Sequence, residues 1–280
     1  MRFTVMIPTF NNGRLIRCAI RSVLRQTHRD FELLVVADGA PASTALIVEK
    51  FAEEDPRVKL LAYEKGERHG ERWRHDALQK ATGEAVCYLS DDDFWFPDHL
   101  AVMSHLLTKA DFAHTRHTSI VDALHVRGYA GDIRDRDIRQ LMRKTKTNIF
   151  GLSFAGHRMN AYGKLPEGWS PAPADIWTDL HMWRKWLAAP GIKFGASSMT
   201  TGLNLPAMRR REMSAGKRLT ELRMWYEIFS DPYLVAGLRK TMPKTQDLVT
   251  LAAVATKANQ LRARKPTLKE ALHQVARALR

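Results

Sequence analysis

The chain has 280 residues, of which 45% are hydrophobic and 26% are charged, with 16 Gly and 12 Pro. This is an ordinary globular composition, and it excludes collagen-like, low-complexity and largely disordered proteins. The length suits one large or two small domains. The longest near-apolar runs, such as residues 33–37 and 251–255, are far shorter than the roughly 20 residues that a spanning helix needs.

Positive charge is concentrated at the C-terminal end. The formal net charge is +14, and residues 206–280 hold 16 Lys and Arg against 6 Asp and Glu. The first 205 residues are nearly balanced, with 28 basic and 24 acidic side chains. A basic end suggests an anionic partner, such as lipid headgroups, nucleic acid or an acidic polymer. The alternative is a solvated helical surface that is rich in Arg.

The N-terminus and the cysteines indicate the compartment. The first residues, MRFTVMIPTF, resemble a strand and lack a basic segment leading into an apolar one, so we expect no secretory signal. Two cysteines, Cys18 and Cys87, are too few for a disulfide framework and fit a reducing environment. The sequence therefore predicts a cytoplasmic protein.

Strand-like and helix-like patterns alternate over the first 108 residues. Apolar runs predict strands at residues 3–8, 31–37, 58–62 and 85–89. Helical spacing predicts helices at residues 15–26, 44–54, 70–82 and 98–108. This order predicts an α/β fold whose mostly parallel sheet is flanked by helices on both faces.

The pattern loosens after residue 111. We expect strands at 112–121 and 148–154, an extended segment at 195–205, and helices at 135–144 and 175–187. A loop is expected at 163–173. From residue 207 onwards the sequence predicts mainly helices, with breaks near Pro232, Pro243 and Pro266.

Polar residues follow three of the predicted strands. They lie at residues 9–12, at Asp38 and at residues 90–93. Ligands of open parallel sheets bind outside the carboxyl ends of the strands, so we expect these clusters to converge in space. A lone carboxylate such as Asp38 is also common in turns, and this alternative stays open.

Residues 90–93 read Ser-Asp-Asp-Asp. Three consecutive carboxylates repel one another unless a cation or solvent compensates their charge. Sites for Mg²⁺ often combine one or two carboxylates with substrate phosphates. The alternative is a solvated helix start, but the aromatic residues and proline at 94–97 favour a structured loop.

The segment RHGERWRH, at residues 68–75, is basic and predicted to be helical. Arginine side chains bind phosphate oxygens well. Arg72 and Arg74 are two residues apart and so cannot share one helix face. We expect at most one of them to point into a site, and a surface position is the alternative for each.

Three segments in this order resemble the front half of the family 2 glycosyltransferases. They are IPTFNN at residues 7–12, VVADGA at 35–40 and ATGEAVCYLSDDDFWFPDHL at 81–100. The resemblance covers residues 3–110 well and continues more loosely to about 205. It implies a Rossmann-like nucleotide-sugar fold of the GT-A type, and an inverting sugar transfer. The family often has Asp where this chain has Ser90, and Ala-Arg-Asn where it has residues 73–75.

The resemblance also implies roles for individual residues. Thr9 and Phe10 would flank the nucleotide base, Asp38 would accept from its ring N–H, and Arg74 would approach the diphosphate. Asn11 is expected either to be a turn residue or to bind the nucleotide by a hydrogen bond to its base or ribose. Asp91 would lie by the ribose or the metal, and Asp92 would be the principal ligand of Mn²⁺ or Mg²⁺. Asn204 is expected as a weak third ligand or phosphate contact, because relatives can carry a His at this place.

An inverting transfer needs a base that takes the proton of the acceptor hydroxyl. In the family this base is an acid that opens a helix beyond the acceptor loop. The segment PADIWTDLHMWRKWL offers Asp175 and Asp179. Asp179 matches the pattern better because an apolar-rich helix follows it directly, and Asp175 is then expected to be a helix cap.

Taken together, the resemblance implies a metal-dependent inverting glycosyltransferase. Its donor would be a nucleotide-diphospho-sugar, with a UDP-sugar as the default, and its acceptor a saccharide or a lipid-linked sugar of bacterial surface polysaccharide or glycolipid synthesis. No nucleic acid partner is expected. The basic C-terminus suggests peripheral attachment to an anionic membrane surface on its inner face.

We expect residues 1–110 to bind the nucleotide-sugar, residues 111–205 to bind the acceptor within the same domain, and residues 206–280 to form a basic helical extension. Two other functions remain open at this point. One is a non-catalytic, transferase-like module that binds an acidic partner. The other is a sugar nucleotidyltransferase, although that class would prefer a Gly-rich basic loop after the first strand.

Overall fold

The computed structural model describes residues 1–129, 131–241 and 248–263. Within them, ten strands form one sheet. They are β1 (Phe3–Thr9), β2 (Phe31–Asp38), β3 (Val58–Tyr63), β4 (Ala85–Tyr88), β5 (Phe94–Trp95), β6 (Phe112–Ile120), β7 (His125–Gly128), β8 (Ala155–Arg158), β9 (Phe194–Asn204) and β10 (Leu248–Thr250).

Helices connect and flank these strands. They are α1 (Ile16–Leu24), α2 (Ala42–Glu54), α3 (Glu71–Gln79), α4 (His99–Leu107), α5 (Arg136–Lys144), α6 (Met159–Tyr162), α7 (Thr178–Ala188), α8 (Ala215–Ile228), α9 (Pro232–Thr241) and α10 (Leu251–Ala263). Short 3₁₀ turns lie at Gly13–Leu15 and Ala207–Arg210.

The front half of the sheet is parallel. Its strands run in the order β3-β2-β1-β4, and the register sets Phe3 beside both Phe31 and Ala85. Every residue of β2 and β4 is buried, which is why these strands read as continuous apolar runs instead of alternating patterns. The carboxyl ends of β1, β2 and β4 therefore meet at one edge, as the sequence predicts.

The back half makes the sheet mixed. β8 lies antiparallel between β4 and β6, while β9 runs parallel to β6 and antiparallel to the short β5. β7 and β10 extend this half by two further antiparallel pairings. The expected α/β fold is confirmed, and the parallel arrangement is confined to β1–β4 and to the β6–β9 pair.

One prediction for the back half is wrong. Residues 148–154 form turns instead of a strand, because the Asn148 side chain accepts from the backbone N–H of Gly151, whose φ of +63° belongs to the left-handed region. The neighbouring strand is β8. The region after residue 207 is mainly helical, but β10 adds a strand that the sequence pattern did not indicate.

The C-terminal helices pack on the sheet through a second apolar cluster. Its core includes Leu222, Trp225 and Phe229 against Phe94 and Phe96, all of them buried. Polar contacts add to this packing, because the Arg239 guanidinium on α9 donates to Asp98 at 2.8 Å and to the Thr200 carbonyl at 2.8 Å. The described part of the basic region is thus joined to the core.

This packing bears on the proposed membrane surface. Among the residues that the structure describes, no helix combines the length and the apolarity that crossing a bilayer requires. Of the basic group at 209–211, Arg210 is buried and donates to Glu221 at 2.6 Å, so its charge is already paired. Residues 264–280, which carry the last basic positions, lie outside the described part.

If the C-terminal helices are part of the cooperative fold, a core truncation there lowers global stability. Phe229 is 3% exposed and contacts Phe96 with a ring-centroid distance of 6.0 Å. We expect Phe229→Ala to lower the free energy of unfolding by about 3–5 kcal/mol, the usual cost of a large cavity. Denaturant unfolding measures it, with exposed Met224→Ala as the control. Equal midpoints for the two variants would show that α8 unfolds separately.

Candidate active site

A cleft of ≈ 480 Å³ opens at the carboxyl ends of β1, β2 and β4. The six residues that the sequence assigns to nucleotide binding all lie on its wall: Thr9, Phe10, Asn11, Asp38, Arg74 and Asp91. The loop before α3 closes one side of the cleft with Lys65, Arg68 and His69. Phe10 is 45% exposed, so its ring is free to stack on a planar group.

Asp91 is held by the end of β1. Thr9 donates its hydroxyl to Oδ2 at 2.6 Å, and Asn12 donates its amide to Oδ1 at 2.5 Å. The carboxyl is 5% exposed. Burial, followed by the charge of Asp92, raises its pKa. Both oxygens already have a donor, so Asp91 ties the first strand end to the fourth.

Asp92 points elsewhere and has a charged partner. Ser90 donates its hydroxyl to Oδ1 at 2.7 Å, and the Arg218 guanidinium on α8 lies 3.0 Å from Oδ2. The same guanidinium donates to Oδ1 of Asn12 at 3.3 Å. Arg218 therefore brings a positive charge from the C-terminal region to the acidic motif.

Asp93 faces the interior and holds the loop in place. It accepts from the Ser153 hydroxyl at 2.6 Å, from the Asn204 amide at 3.0 Å and from the Leu205 backbone N–H at 3.0 Å. Burial raises the pKa of this carboxyl, with a further contribution from the charge of Asp92. Asp93 thereby links the end of β4 to the end of β9.

The placement of Asn204 differs from the expectation that it ligates a metal. Its amide nitrogen donates to Asp93, and its Oδ1 accepts from the Ser119 hydroxyl at 3.0 Å. Both ends of the side-chain amide are therefore engaged in supporting β9 and the acidic loop. The expected role of Asn204 as a third metal ligand or a phosphate contact stays a prediction.

The acidic motif fits a divalent cation in one way only. In the part of the chain that the structure describes, no group of three or more His, Cys, Asp or Glu side chains is arranged to hold a metal ion. Asp92 alone of the three carboxylates has an oxygen paired with a charged side chain, and its own side chain is 13% exposed. A single carboxylate completed by phosphate oxygens of a substrate is a common Mg²⁺ arrangement, and Asp92 suits it.

Asp38 is fixed by the loop that follows β3. The Gly66 backbone N–H donates to Oδ1 at 2.6 Å, and Lys65 lies 2.7 Å from Oδ2. Gly70 packs directly against this carboxyl, and a Cβ there would lie 2.5 Å from the Asp38 Cγ. Gly70 also has a φ of +70°, so the start of α3 requires glycine for two independent reasons.

Arg74 is the arginine of α3 that turns inward, whereas Arg72 is exposed. Its guanidinium lies 4.9 Å from the Trp169 ring and donates to the His69 carbonyl at 3.0 Å. Its Nε is buried and has no protein acceptor among the described residues. Burial lowers its pKa, while Glu71, Asp179 and Asp38 act to raise it. Arg74 thus lies between the acids of the cleft and the start of α7.

Glu71 joins α3 to the segment before α7. It is fully buried and accepts from the Thr178 hydroxyl at 2.8 Å and from the His69 N–H at 3.0 Å. Burial acts to raise its pKa, but hydrogen bonds from backbone N–H groups and Thr178 outweigh this effect, and the pKa is lowered. An ionised Glu71 therefore fixes the first turn of α7 to the start of α3, the helix that carries Arg74.

Asp179 lies in the first turn of α7 and is partly buried. The Asn148 amide donates to Oδ2 at 2.8 Å and the Leu180 N–H donates to Oδ1 at 2.7 Å. Burial raises the pKa of this carboxyl above the usual range. Asp175 is exposed, and it is not the expected cap, because Trp177 occupies the N-cap position.

Four residues of this site are not indicated by the sequence pattern: Lys65, Glu71, Asn148 and Arg218. Glu71 stood inside a segment interpreted as basic, and Asn148 inside a predicted strand. Arg218 was one of many basic residues of the C-terminal region, and no local pattern distinguished it. The glycine before Glu71 is a usable signal, because it marks a close approach of the helix start to the sheet.

The family model for "Glycosyl transferase family 2" matches residues 4–165, which include every strand end of the cleft. The chain belongs to glycosyl transferase family 2. Residues of α7 and α8 lie beyond the matched part, so their roles rest on the structure.

Relatives of this family 2 chain include two enzymes named for transfer to lipid-linked sugars. The UDP-Glc:alpha-D-GlcNAc-diphosphoundecaprenol beta-1,3-glucosyltransferase WfgD of Escherichia coli is 33% identical over 108 residues, 38% of this chain and 41% of the relative. The GalNAc(5)-diNAcBac-PP-undecaprenol beta-1,3-glucosyltransferase of Campylobacter jejuni is 30% identical over 92 residues, 33% of this chain and 30% of the relative. The matches thus span less than half the length of these relatives.

Solved structures share the fold over nearly the whole chain. S. aureus TarS 1-349 superposes with a TM-score of 0.56 at 16% identity, covering 96% of this chain and 77% of that one. The mannosyltransferase PcManGT from Pyrobaculum calidifontis, in complex with GDP-Man and Mn²⁺, superposes with a TM-score of 0.53 at 20% identity, covering 99% and 79%. The expected GT-A type of fold is therefore confirmed.

Asp92 and Asp93 are expected to respond differently to truncation. Asp93→Ala leaves several buried donors without an acceptor, so we expect a loss of about 3 kcal/mol in the free energy of unfolding. Asp92→Ala removes a partly exposed ion pair and should cost about 1 kcal/mol or less. Denaturant titrations compare the two, and an equal loss would contradict the structural role of Asp93.

Proposed function

We propose that this protein is a glycosyltransferase that moves a sugar from a nucleotide-diphospho-sugar to an acceptor hydroxyl with inversion, in the synthesis of a bacterial surface polysaccharide or glycolipid. Family membership supports a transferase, and the cleft lies where open α/β sheets bind ligands. A UDP-sugar is the default donor.

The observation that carries the proposal is the buried Arg74. A guanidinium on the cleft wall with an Nε–H that lacks an acceptor among the described residues is costly unless a ligand supplies one. Arginine matches the oxygens of a phosphate or diphosphate. Arg74 would thus hold the leaving group, while Phe10 and Asp38 hold the base.

Asp92 is the residue that would hold Mn²⁺ or Mg²⁺, together with phosphate oxygens of the donor. When bound, such a cation neutralises negative charge that develops on the departing diphosphate. Asp91 would support this arrangement through Thr9 and Asn12, which fix it at the cleft. The mannosyltransferase neighbour was solved with Mn²⁺, which agrees with this assignment.

Asp179 would take the proton of the acceptor hydroxyl. It begins a helix beside Arg74, and its carboxyl has a pKa raised by burial, so it binds a proton more readily than an exposed Asp does. Asn148 orients one of its oxygens and Glu71 fixes its helix. These contacts would keep the base at a constant position relative to the diphosphate site.

The acceptor is proposed to be a saccharide, carried on a lipid in the simplest case. The support is the pair of relatives whose names specify undecaprenol-linked acceptors. The exposed Trp177, 45% accessible and adjacent to Asp179, offers an aromatic face of the kind that sugar rings contact. Peripheral attachment to an anionic membrane through the basic C-terminus remains part of this proposal.

The metal assignment predicts that Asp92→Asn weakens metal-dependent nucleotide binding at least tenfold, or about 1.4 kcal/mol, because the variant keeps the shape but loses the charged ligand. Calorimetry with UDP, GDP and dTDP, each with Mn²⁺ and with EDTA, measures this. Asp175→Asn is the control, since it makes the same change at an exposed position. Unchanged affinity of the Asp92 variant in Mn²⁺ would contradict the assignment.

The base assignment predicts that Asp179→Asn leaves donor binding nearly intact and lowers kcat by about 10²- to 10⁴-fold, the usual contribution of a positioned base. The base acts in its ionised form and its pKa is raised, so kcat of the parent enzyme should fall on acidification at a pH above the ordinary Asp value of about 3.9. Acceptor glycosylation is measured across pH for both proteins.

Asp175→Asn again serves as the control and should keep near-parental turnover. The reverse result, an inactive Asp175 variant and an active Asp179 variant, would move the base to Asp175. Parental turnover in both folded variants would remove the base from this segment. A protein that binds nucleotides but transfers no sugar from any donor would instead be a binding module.

A further inference from the structure

The pairing between Arg218 and Asp92 gives the acidic motif its own countercharge. The Arg218 guanidinium lies 3.0 Å from Oδ2 of Asp92, and the two side chains are 20% and 13% exposed. The pair is partly buried, and salt screens partly buried pairs less than fully exposed ones. Asp92 is the one carboxylate of the motif with a charged partner, because its two neighbours accept only from neutral donors.

A divalent cation and this guanidinium cannot share one carboxylate oxygen. Like charges within about 4 Å of each other repel by several kcal/mol at an intermediate effective dielectric constant. A cation that binds Oδ2 of Asp92 must therefore displace Arg218, whereas Oδ1 accepts from the neutral Ser90 hydroxyl. The displaced guanidinium would then lack an anionic partner, which is unfavourable in a partly buried position.

The surroundings of Arg218 indicate where it moves. Its second nitrogen donates to Asn12 at 3.3 Å, and Asn12 lines the cleft. The helix that carries it is fixed by the buried Leu222, Trp225 and Phe229, so the side chain can exchange partners while α8 stays in place. A phosphate group in the cleft offers the oxygens that an arginine fork prefers.

We propose that Arg218 is a resident counter-ion that competes with the divalent cation for Asp92 and transfers to the diphosphate of the donor when that cation binds. The inference rests on the proposed function for the identity of the diphosphate. It adds a second arginine to the diphosphate site, supplied by a helix outside the part of the chain that the family model matches. It also makes metal binding weak until the diphosphate is present.

The test compares Arg218→Gln and Arg218→Lys with Arg223→Gln. Arg223 is exposed on the same helix, so its variant loses the same charge away from Asp92. Two probes carry neither base nor sugar. Binding of Mn²⁺ alone is measured by electron paramagnetic resonance, and binding of inorganic pyrophosphate in EDTA is measured by calorimetry. Circular dichroism and thermal unfolding confirm that the variants are folded.

Arg218→Gln should bind Mn²⁺ at least about threefold more tightly than Arg223→Gln, because the guanidinium that competes for Asp92 is gone. It should bind pyrophosphate at least about threefold more weakly than Arg223→Gln. Arg218→Lys should stay near the parent for Mn²⁺ and fall between the parent and Arg218→Gln for pyrophosphate, since it keeps the charge without the fork. A rise in Mn²⁺ affinity together with a fall in pyrophosphate affinity distinguishes this exchange from a general loss of structure, which would weaken both.

Equal Mn²⁺ affinity in Arg218→Gln and Arg223→Gln would overturn the competition, as would the absence of Mn²⁺ binding in both. Equal pyrophosphate affinity would overturn the transfer to phosphate. If the parent protein binds no nucleotide but the Mn²⁺ and pyrophosphate effects occur, the proposed donor is wrong and the role of Arg218 stands.

Discussion

Three consecutive carboxylates at the end of a buried strand impose the main constraint on this structure. They can be buried together only if each has its own donors, since their mutual repulsion raises the cost of every charge. The three carboxylates meet this requirement by accepting hydrogen bonds from three different places. Asp91 accepts from the end of β1, Asp93 from the end of β9, and Asp92 from α8. Residues more than 80 positions apart are thereby held at one edge of the sheet.

The front half of the fold could be predicted because its causes are local. Buried parallel strands require apolar runs, and the helices between them show the 3.6-residue spacing, so β1–β4 and α1–α4 follow from the pattern. The back half depends on pairing between distant segments. The two-residue β5 and the three-residue β10 are too short to show a periodicity. At residues 148–154 a single glycine with a left-handed conformation, Gly151, leads to turns where the pattern predicts a strand.

The residues of the site divide in the same way, into those that local sequence patterns locate and those that distant segments bring together. Thr9, Asp38 and Asp91 could be located from sequence because parallel strands end at a common edge. Glu71, in contrast, looks like an ordinary surface acid in a basic helix, and its burial depends on Thr178, 107 positions away. Arg218 meets Asp92 across 126 positions. Contacts of this kind arise from tertiary packing and leave no local trace in a single sequence.

The pairing of β10 with β7 has a consequence for the behaviour of the protein in solution. β10 satisfies the backbone groups of β7 through the register Val249 to Val126, and the Leu251 N–H donates to the Leu124 carbonyl at 2.8 Å. Without this strand, β7 would be an open edge, and open edges recruit strands from other molecules. With β10 in place, this edge of the sheet in the described part of the chain is a strand of only three residues, and so short an edge offers little backbone for a strand of another molecule to pair with.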